Sequence, residues 1–325
     1  MSTSISWTDE TWNAITGCSR ISAGCANCYA ATAAASPRLQ QFPQYQKVAD
    51  WDGTVEFVES QLLKPLSWKK PKRIFVCSMS DLFHENVPDE WRERIFAVMS
   101  LCQQHTFQVL TKRPDRALEY FNQQSLWAKW YEAASCHLWS AIGEKFGGLI
   151  NLQQHFNKQS FPLPNVWIGT SCENQAMADK RIPVLLQISA AVRFLSCEPL
   201  LDEVNLSHWV GCNCPADCFG QDPHNIYCPK STNFVGNHLS WAIVGGESGK
   251  GARECHIDWV RSLVQQCFIG DVPVFVKQLG SNPLGSSPYI DGVACVNYFV
   301  KLRDKKGGDI SEFPEDLQVR EFPDV

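Results

Sequence analysis

Six short runs of apolar, β-branched and aromatic residues recur along the chain, and polar residues and a helix-like segment follow them. They cover residues 73–77, 107–111, 166–170, 192–196, 241–245 and 272–276. Continuous apolar runs of this length suit strands buried on both faces, as in a parallel sheet. With a first strand near residues 5–7, they predict about seven β/α units. The sequence therefore predicts an α/β fold, an incomplete (β/α) barrel. An open doubly wound sheet is the alternative, because one sequence does not show strand order.

The length of the chain favours one barrel domain with insertions. A (β/α) barrel needs about 250 residues, and this chain has 325. We therefore predict a single domain over residues 1–325, interrupted by two segments. The first, at about 117–164, is rich in Trp, Gln and Phe and is expected to be helical. The second, at 207–238, is rich in cysteine.

Charge and cysteine content narrow the possible partners and the compartment. The net charge of −5 means that nucleic acid binding would need a local basic patch. Neither a basic-plus-apolar leader nor a run of about 18 apolar residues is visible, so we expect a cytoplasmic protein without membrane contact. In that reducing compartment, the 15 cysteines are not expected to form a disulfide framework, and the clustered ones are expected to bind metals.

Three cysteines near the N-terminus, Cys18, Cys25 and Cys28, have the spacing C-x6-C-x2-C. Three thiolates on one loop can hold three irons of a four-iron cluster and leave the fourth iron open to a small molecule. Gly17 and Gly24 would let such a loop turn tightly. A structural zinc site with a distant fourth ligand, or buried free thiols, would fit the same spacing.

Charged residues stand just after the carboxyl ends of the predicted strands. They are Asp81, Lys112 with Arg113, Glu173, Glu198, Glu247, and Lys277 with Gln278. One charge after a strand is usually a helix cap or a solvated residue, but in an α/β barrel several such positions converge on one mouth. We therefore expect the four carboxylates to face a common pocket, with Lys112 and Lys277 balancing their charge. The glycines before Glu247 would add bare backbone amides, which suit a ligand with amine and carboxylate groups.

A second cysteine group lies in the 207–238 segment. Cys212, Cys214, Cys218 and Cys228 have the spacing C-x-C-x3-C-x9-C. Four thiolates could close a tetrahedral zinc site or hold an auxiliary iron–sulfur cluster, and unligated thiols are the remaining interpretation. Three further cysteines at strand ends, Cys77, Cys172 and Cys197, are interpreted as small buried apolar side chains.

Motifs along nearly the whole chain carry a resemblance to one family. They include WTD through WN at 7–13, TGC through CYA at 16–30, DLFH at 81–84, LTKRP at 110–114, ENQ at 173–175, LSCEPLL at 195–201, GGESG at 245–249 and FVKQ at 275–278. With these motifs the chain resembles a family of phage-associated and bacterial radical S-adenosylmethionine (SAM) proteins, most of them of unknown function. Three features depart from the radical SAM pattern. The cysteine loop is three residues longer than the superfamily's usual C-x3-C-x2-C, Ala14 stands where the phage-associated family tends to have proline, and the GGE run falls late in the chain.

The resemblance implies a [4Fe–4S] cluster held by Cys18, Cys25 and Cys28, with SAM chelating the open iron. Reductive cleavage of SAM would give a 5′-deoxyadenosyl radical that abstracts hydrogen from a substrate. The electron would come from a donor of the flavodoxin or ferredoxin type. The candidate SAM-binding residues are Tyr29, Ser78, Asp81 and Glu173, and the candidate catalytic residues are Glu198, Glu247, Lys112 and Lys277.

Three functions remain open at this point. A radical SAM enzyme could modify or repair a base in DNA or RNA, which would have to be flipped out of a duplex. Lys112, Arg113, Lys180 and Arg181 could then contact phosphates. A radical SAM enzyme could instead act on a small molecule or peptide, to which the acidic charge raises no objection. The third possibility is a zinc-stapled binding protein without enzymatic activity.

Overall fold

The computed structural model describes residue 3 and residues 5–158, 160–210, 239–286 and 297–324. The strands in these ranges are β1 (Glu10–Trp12), β2 (Ile15–Thr16), β3 (Glu56–Phe57), β4 (Arg73–Val76), β5 (Thr106–Thr111), β6 (Val166–Ser171), β7 (Val192–Cys197), β8 (Trp241–Gly245), β9 (Cys255–His256), β10 (Val274–Gln278), β11 (Pro283–Ser286) and β12 (Asn297–Phe299). The helices are α1 (Tyr29–Ala34), α2 (Pro43–Lys47), α3 (Glu59–Leu62), α4 (Lys64–Ser67), α5 (Asp89–Leu101), α6 (Pro114–Phe121), α7 (Leu126–His137), α8 (Trp139–Phe146), α9 (Leu149–Asn157), α10 (Gln175–Leu185) and α11 (Ile257–Ile269). Short 3-10 helices cover Ala23–Cys25, Ile310–Glu312 and Glu315–Leu317.

Seven of the strands form one parallel sheet in the order β1-β4-β5-β6-β7-β8-β10. Helices connect its neighbouring strands: α5 lies between β4 and β5, α10 between β6 and β7, and α11 between β8 and β10. The order follows the chain from one edge to the other and lacks the reversal that marks a doubly wound sheet. The predicted α/β class is therefore confirmed. The sheet is compatible with an incomplete (β/α) barrel and does not have the strand order of the alternative.

The six apolar runs all correspond to strands of this sheet, but the prediction for the first strand is wrong. The strand lies at Glu10–Trp12 and pairs with β4, with Glu10 opposite Ile74 and Trp12 opposite Val76. It is an edge strand whose first two residues are half-buried, so it lacks the continuous apolar pattern of a central strand. Trp7 is buried outside the strand, and its carbonyl accepts a hydrogen bond from the Gln108 side chain.

The chain divides into two compact units. The first contains residues 1–169 and 187–191, and the second contains residues 170–186 and 192–325. Helices α7, α8 and α9 lie within the 117–164 segment of the first unit. The prediction of one domain with two insertions stays a prediction. Cys212, Cys214, Cys218 and Cys228 all lie outside the described residues.

Stacked aromatic rings form much of the core of the first unit. Phe96 of α5 stacks on Trp130 of α7 with ring centroids 5.0 Å apart and an interplanar angle of 9°. The Trp130 indole N–H donates to the Tyr120 hydroxyl at 2.8 Å, so the one polar group of this ring is satisfied inside the core. The Phe96–Trp130 contact attaches α5 to α7. Trp12 of β1 packs on Phe107 of β5, with centroids 5.7 Å apart.

In the second unit, the C-terminal tail completes the core. Phe322 packs on Trp241 of β8 and on Phe275 of β10, with ring centroids 5.4 and 5.3 Å apart. The Trp241 indole N–H donates to the Glu321 carbonyl at 2.9 Å. Residues 320–322 therefore pack along the edge strand β10 and against its neighbour β8. No helix in the described ranges is long and apolar enough to cross a membrane.

Candidate functional site

The three cysteines of the N-terminal loop are free thiols in this structure. Cys25 is buried at the end of the 3-10 helix Ala23–Cys25, while Cys18 and Cys28 are half-buried. Cys18 and Cys28 pack against one apolar cluster, formed by Ala30, Ala31, Ala34, Val48, Trp51 and Met79. We call this cluster the loop floor. Both ends of the cysteine loop therefore rest on the same apolar surface.

Gly17 is required where the chain enters this loop. Its φ of +92° is strained for other residues, and a Cβ atom would lie 2.1 Å from the Thr54 carbonyl oxygen. Its N–H donates to the Met79 carbonyl at 3.0 Å, and its own carbonyl accepts from the Ser80 hydroxyl at 2.6 Å. The loop is thereby tied to the segment that follows β4.

That segment brings together two of the predicted SAM-binding residues. The Tyr29 hydroxyl donates to the Ser78 carbonyl at 2.6 Å, while the residue stays 58% exposed. The Ser78 hydroxyl donates to Oδ1 of Asn13 at 3.1 Å, and the Met79 N–H donates to the same oxygen. Asn13 thus holds the turn after β4, and Tyr29 offers an exposed aromatic face beside Cys28.

Asp81 connects the end of β4 to the end of β5. Its Oδ1 accepts hydrogen bonds from the Thr111 hydroxyl at 2.7 Å and the Phe83 N–H at 3.0 Å. Its Oδ2 accepts from the Lys112 N–H at 3.0 Å and from Nη1 of Arg113 at 3.2 Å. The buried carboxylate therefore has internal partners on both oxygens. Its predicted role as a SAM ligand stays a prediction.

Arg113 is buried and makes four contacts. Its Nε donates to Glu85 at 2.7 Å, its Nη2 to the Ser19 hydroxyl at 2.8 Å, and its Nη1 to Asp81. Nη1 also donates to the Cys18 sulfur at 3.7 Å. Burial opposes the charge, but Asp81, Cys18 and Glu85 raise the pKa of Arg113 above its ordinary value. The prediction that Arg113 contacts phosphates is wrong for this structure, because its donors face inward.

His84 completes the polar surroundings of Cys18. Its Nδ1 accepts from the Asn86 N–H at 3.1 Å, so Nε2 carries the proton and donates to the Ser19 hydroxyl at 2.9 Å. Burial, reinforced by the Arg113 charge, lowers the pKa of His84, which keeps the ring neutral. Burial also raises the pKa of the Cys18 thiol to about 12, an effect that Asp81 adds to and Arg113 opposes.

Lys112 differs from the other cations at strand ends. Its backbone N–H binds Asp81, but its ammonium group makes no ion pair with any described residue. The side chain is half-buried. In the first unit, Lys112 is therefore a cation that can meet an anionic ligand without first giving up a carboxylate.

In the second unit, two predicted catalytic residues form an ion pair. Nζ of Lys277, on β10, lies 2.5 Å from Oε1 of Glu198, which follows β7. The side chains are 21% and 16% exposed, so the pair is accessible to solvent and to a ligand. A ligand carboxylate could pair with Lys277, or a ligand amine with Glu198.

Glu247 is already engaged by a cation that the sequence did not single out. The backbone N–H and Nε of Arg253 each donate to its Oε2 at 3.0 Å, and Nη2 donates to its Oε1 at 2.6 Å. Arg253 follows six positions later in the chain, and its side chain is about one-third exposed. The bidentate geometry orients the Glu247 carboxylate firmly.

The glycines before Glu247 serve close backbone packing against β10. The Gly246 N–H donates to the Gln278 carbonyl at 3.0 Å, and the Gln278 side chain donates back to the Gly246 carbonyl at 2.7 Å. A Cβ atom on Gly246 would lie 2.4 Å from the Leu279 carbonyl oxygen. The expectation of a bare amide at Gly246 is therefore wrong, because this N–H is already bonded.

Glu173 forms an internal ion pair with Arg181. Nη1 of Arg181 lies 2.9 Å from Oε2 of Glu173, and the two side chains are 4% and 0% exposed. The same Nη1 donates to the Ser171 carbonyl at 2.8 Å. The predicted phosphate contact of Arg181 is wrong for this structure, because the guanidinium is enclosed. Lys180 beside it is exposed.

The cysteines at strand ends behave as buried apolar side chains, as predicted. Cys77, Cys172 and Cys197 are at most 2% exposed. Burial raises the pKa of Cys77 to about 12 and that of Cys197 well above its ordinary value. Thiols that stay protonated are poor nucleophiles.

The donor set of the cysteine loop fits an iron–sulfur cluster. In the part of the chain that the structure describes, no group of three or more His, Cys, Asp or Glu side chains is arranged to hold a single metal ion. A cluster makes a different demand, because the thiolates surround one larger core, each bound to a different iron, and so lie farther apart than the ligands of a single ion. Three free thiols on a loop with a fixed entry at Gly17 meet that demand in number and type.

Several residues of the first unit were not predicted. Asn13, Ser19, His84 and Glu85 surround the loop or hold the segment that it contacts. Asn13, Ser19 and His84 lie within motifs that carry the family resemblance, which is the one signal that pointed to them. The common pocket expected for all four carboxylates stays a prediction. The structure shows Asp81 with its partners in the first unit, and Glu173, Glu198 and Glu247 with theirs in the second.

Comparisons with known proteins give one result. No curated protein and no solved structure is significantly similar to the chain. A family described as Protein of unknown function (DUF5131) matches residues 2–309. Because this match covers most of the chain, the protein belongs to the DUF5131 family.

Proposed function

We propose that this protein is a radical SAM enzyme that reductively cleaves SAM at a [4Fe–4S] cluster held by Cys18, Cys25 and Cys28. The observation that carries the proposal is the loop itself. It holds three free thiols, and its two outer cysteines rest on one apolar floor. An incomplete thiolate set suits a cluster with one open iron, since a purely structural site would need a fourth protein ligand.

The fold supports the proposal at a coarser level. The sheet is parallel and runs in chain order, as in an incomplete (β/α) barrel of the radical SAM type. The cysteine loop lies between β2 and α1, and Gly17 and Ser80 tie it to the carboxyl end of β4. Active sites of barrel enzymes are built at the carboxyl ends of the strands.

When reduced by a one-electron donor of the flavodoxin or ferredoxin type, such a cluster would supply the electron that cleaves SAM to methionine and a 5′-deoxyadenosyl radical. Tyr29 would offer its exposed ring to the apolar part of SAM. Ser78 would keep the Tyr29 hydroxyl in place through its carbonyl. Lys112 would meet an anionic group of SAM or of the substrate.

The second unit contains charged groups of two kinds. Glu198 and Lys277 form an accessible pair and would act on the substrate. Glu247 is held by Arg253, so it would act as a fixed negative charge. Glu173 is enclosed with Arg181, which favours a positioning role over direct contact with SAM.

Two substrate classes fit the proposal. A nucleic acid base would use Lys112 and Lys180 for phosphate contacts, because both ammonium groups remain available. A small molecule or peptide is favoured by the enclosure of Arg113 and Arg181, which removes two of the four expected phosphate contacts. The steepness of the salt dependence of DNA or RNA binding separates the classes.

Metal analysis after anaerobic purification tests the proposal. We expect about four irons and four sulfides per chain. This iron and sulfide should be lost completely when Cys18, Cys25 and Cys28 are replaced together by alanine. Cys136→Ala is the matched control, since Cys136 is an exposed thiol outside the loop. Each variant is also prepared without Cys212 and Cys214, so that metal at the predicted zinc or second cluster site is counted separately. Full iron content in the triple variant would refute the proposal, and zinc without iron would favour the zinc-stapled binding protein.

A further inference from the structure

We propose that Arg113 is a positioning residue for the cluster: its guanidinium donates a hydrogen bond to the Cys18 sulfur and thereby raises the reduction potential of the cluster. This inference rests on the proposed function and deepens it. It assigns a role to a buried cation that the proposed reaction does not otherwise use. The resemblance and the strand-end pattern left Arg113 as a phosphate contact, which its burial excludes.

The geometry fixes the guanidinium at the Cys18 sulfur. Glu85 binds Nε at 2.7 Å, and the Ser19 hydroxyl binds Nη2 at 2.8 Å. Nη1 has two hydrogens, so it can donate to Asp81 at 3.2 Å and to the Cys18 sulfur at 3.7 Å without sharing one. Three oxygen acceptors on different sides therefore hold the planar guanidinium in one orientation.

The position of Arg113 in the chain explains why it reaches this sulfur. Arg113 follows β5 and is the residue before α6, whose first position is Pro114. Asp81, on the segment after β4, binds both the Lys112 N–H and the guanidinium. Because Gly17 ties the cysteine loop to that same segment, the loop and Arg113 share one anchor.

Charge determines the direction of the effect. A reduced cluster carries one more negative charge than an oxidised one, and part of that charge resides on the cysteine sulfurs. A cationic N–H donor at such a sulfur stabilises the reduced form more than the oxidised form, which raises the potential. Burial strengthens this interaction, because water screens it less. In this step one electron passes from the external reductant to the cluster, and no bond to Arg113 forms or breaks.

The test is a redox titration of the reconstituted protein, followed by electron paramagnetic resonance of the reduced cluster. Arg113→Gln removes the charge, and Arg113→Lys keeps the charge but lacks the planar guanidinium. We expect both variants to bind as much iron as the unaltered protein and to show a midpoint shifted to lower potential. Arg116→Gln is the charge-matched control, because Arg116 lies on α6, three positions after Arg113, and pairs with Glu119. Its shift should be clearly smaller.

The outcomes separate the inference from the proposed function. If the unaltered protein binds no cluster, both are refuted. If it binds a cluster and the Arg113 variants keep its midpoint, or shift no more than Arg116→Gln, only the role of Arg113 is refuted. Circular dichroism shows whether each variant folds. If Arg113→Gln does not fold, the midpoints of Arg113→Lys and Ser19→Ala test the role of Arg113 instead. Ser19→Ala removes one anchor of the guanidinium without changing charge and should also lower the midpoint, and an unchanged midpoint in both would overturn the inference.

Discussion

Nη1 of Arg181 lies 2.9 Å from Oε2 of Glu173, and neither side chain is more than 4% exposed. A carboxylate that stands at the expected strand end thus belongs to the interior of the second unit. Its charge is balanced inside the protein, and Arg181 also donates to the Ser171 carbonyl. This relationship distinguishes Glu173 from Glu198, whose pairing with Lys277 remains open to solvent.

Glu173→Gln should strongly destabilise the protein, because it leaves the Arg181 guanidinium buried without a counter-charge. Breaking a buried pair in this way costs about 3–5 kcal/mol of the free energy of unfolding. Urea denaturation measures this loss in the free energy of unfolding. Glu56→Gln is the control, because Glu56 pairs with Lys47 at the surface and should cost at most about 1 kcal/mol. Equal losses in the two variants would show that the Glu173 pair is not important for stability.

Gly17→Ala should destabilise the cysteine loop and reduce cluster binding. The backbone strain at a positive φ is of order 1–3 kcal/mol, and the new Cβ would also collide with the Thr54 carbonyl. Gly249→Ala is the control: its φ is +105°, but a Cβ there would meet nothing within 4 Å. Melting temperature and iron content are measured for both. If melting temperature and iron content fall equally in the two variants, close packing at Gly17 is not important for the stability of the loop or for cluster binding.

Buried thiols should resist alkylation in the cluster-free protein. The pKa values of Cys77 and Cys267 are raised by burial to about 12, so both are protonated at pH 8. Since the thiolate is the nucleophile, their reactivity should increase only as the pH rises toward 12. Cys136 is exposed and should react first. Iodoacetamide labelling followed by peptide mass spectrometry measures this order. Labelling of Cys77 as fast as Cys136 in folded protein would contradict the burial shown here.

Removal of Lys112 and Lys180 tests the nucleic acid class. If both ammonium groups contact phosphates, the double alanine variant should reduce the slope of log affinity against log salt by ~0.9 per lost contact on duplex DNA. Lys47→Ala, at an exposed pair, is the control and should leave the slope unchanged. The slope comes from fluorescence anisotropy titrations at several salt concentrations. If the unaltered protein does not bind nucleic acid at low salt, the nucleic acid class is excluded and the small-molecule or peptide class remains.

The strands of the sheet were predictable because central parallel strands are apolar on both faces. Runs such as residues 241–245 coincide with their strand, Trp241–Gly245. The edge strand β1 was missed because its outer positions are half-buried and polar. The short sheet of β9, β11 and β12 has strands of two to four residues, and β12 is exposed throughout. Such strands leave no periodic signal in the sequence.

The charged residues of the candidate site could be predicted from the sequence, but their hydrogen-bond and ion-pair partners only in part. The strand-end pattern pointed to Asp81, Glu198 and Lys277, which lie after β4, after β7 and within β10, and their functional roles stay predictions. The partners of the carboxylates were not predictable. Whether Arg113 points to solvent or to the Cys18 sulfur depends on side-chain packing between segments that are 95 positions apart. The glycines at 245–246 looked like a ligand loop because close backbone packing has the same residue signature.

The central claim is that Cys18, Cys25 and Cys28 hold a cluster that cleaves SAM. The most direct measurement is the amount of 5′-deoxyadenosine formed when anaerobically reconstituted protein is incubated with SAM and dithionite. We predict that the unaltered protein and Cys136→Ala form it, and that the variant with alanine at all three loop cysteines forms none. Formation of equal amounts by that variant, or no 5′-deoxyadenosine from an unaltered protein that carries four irons, would contradict the claim.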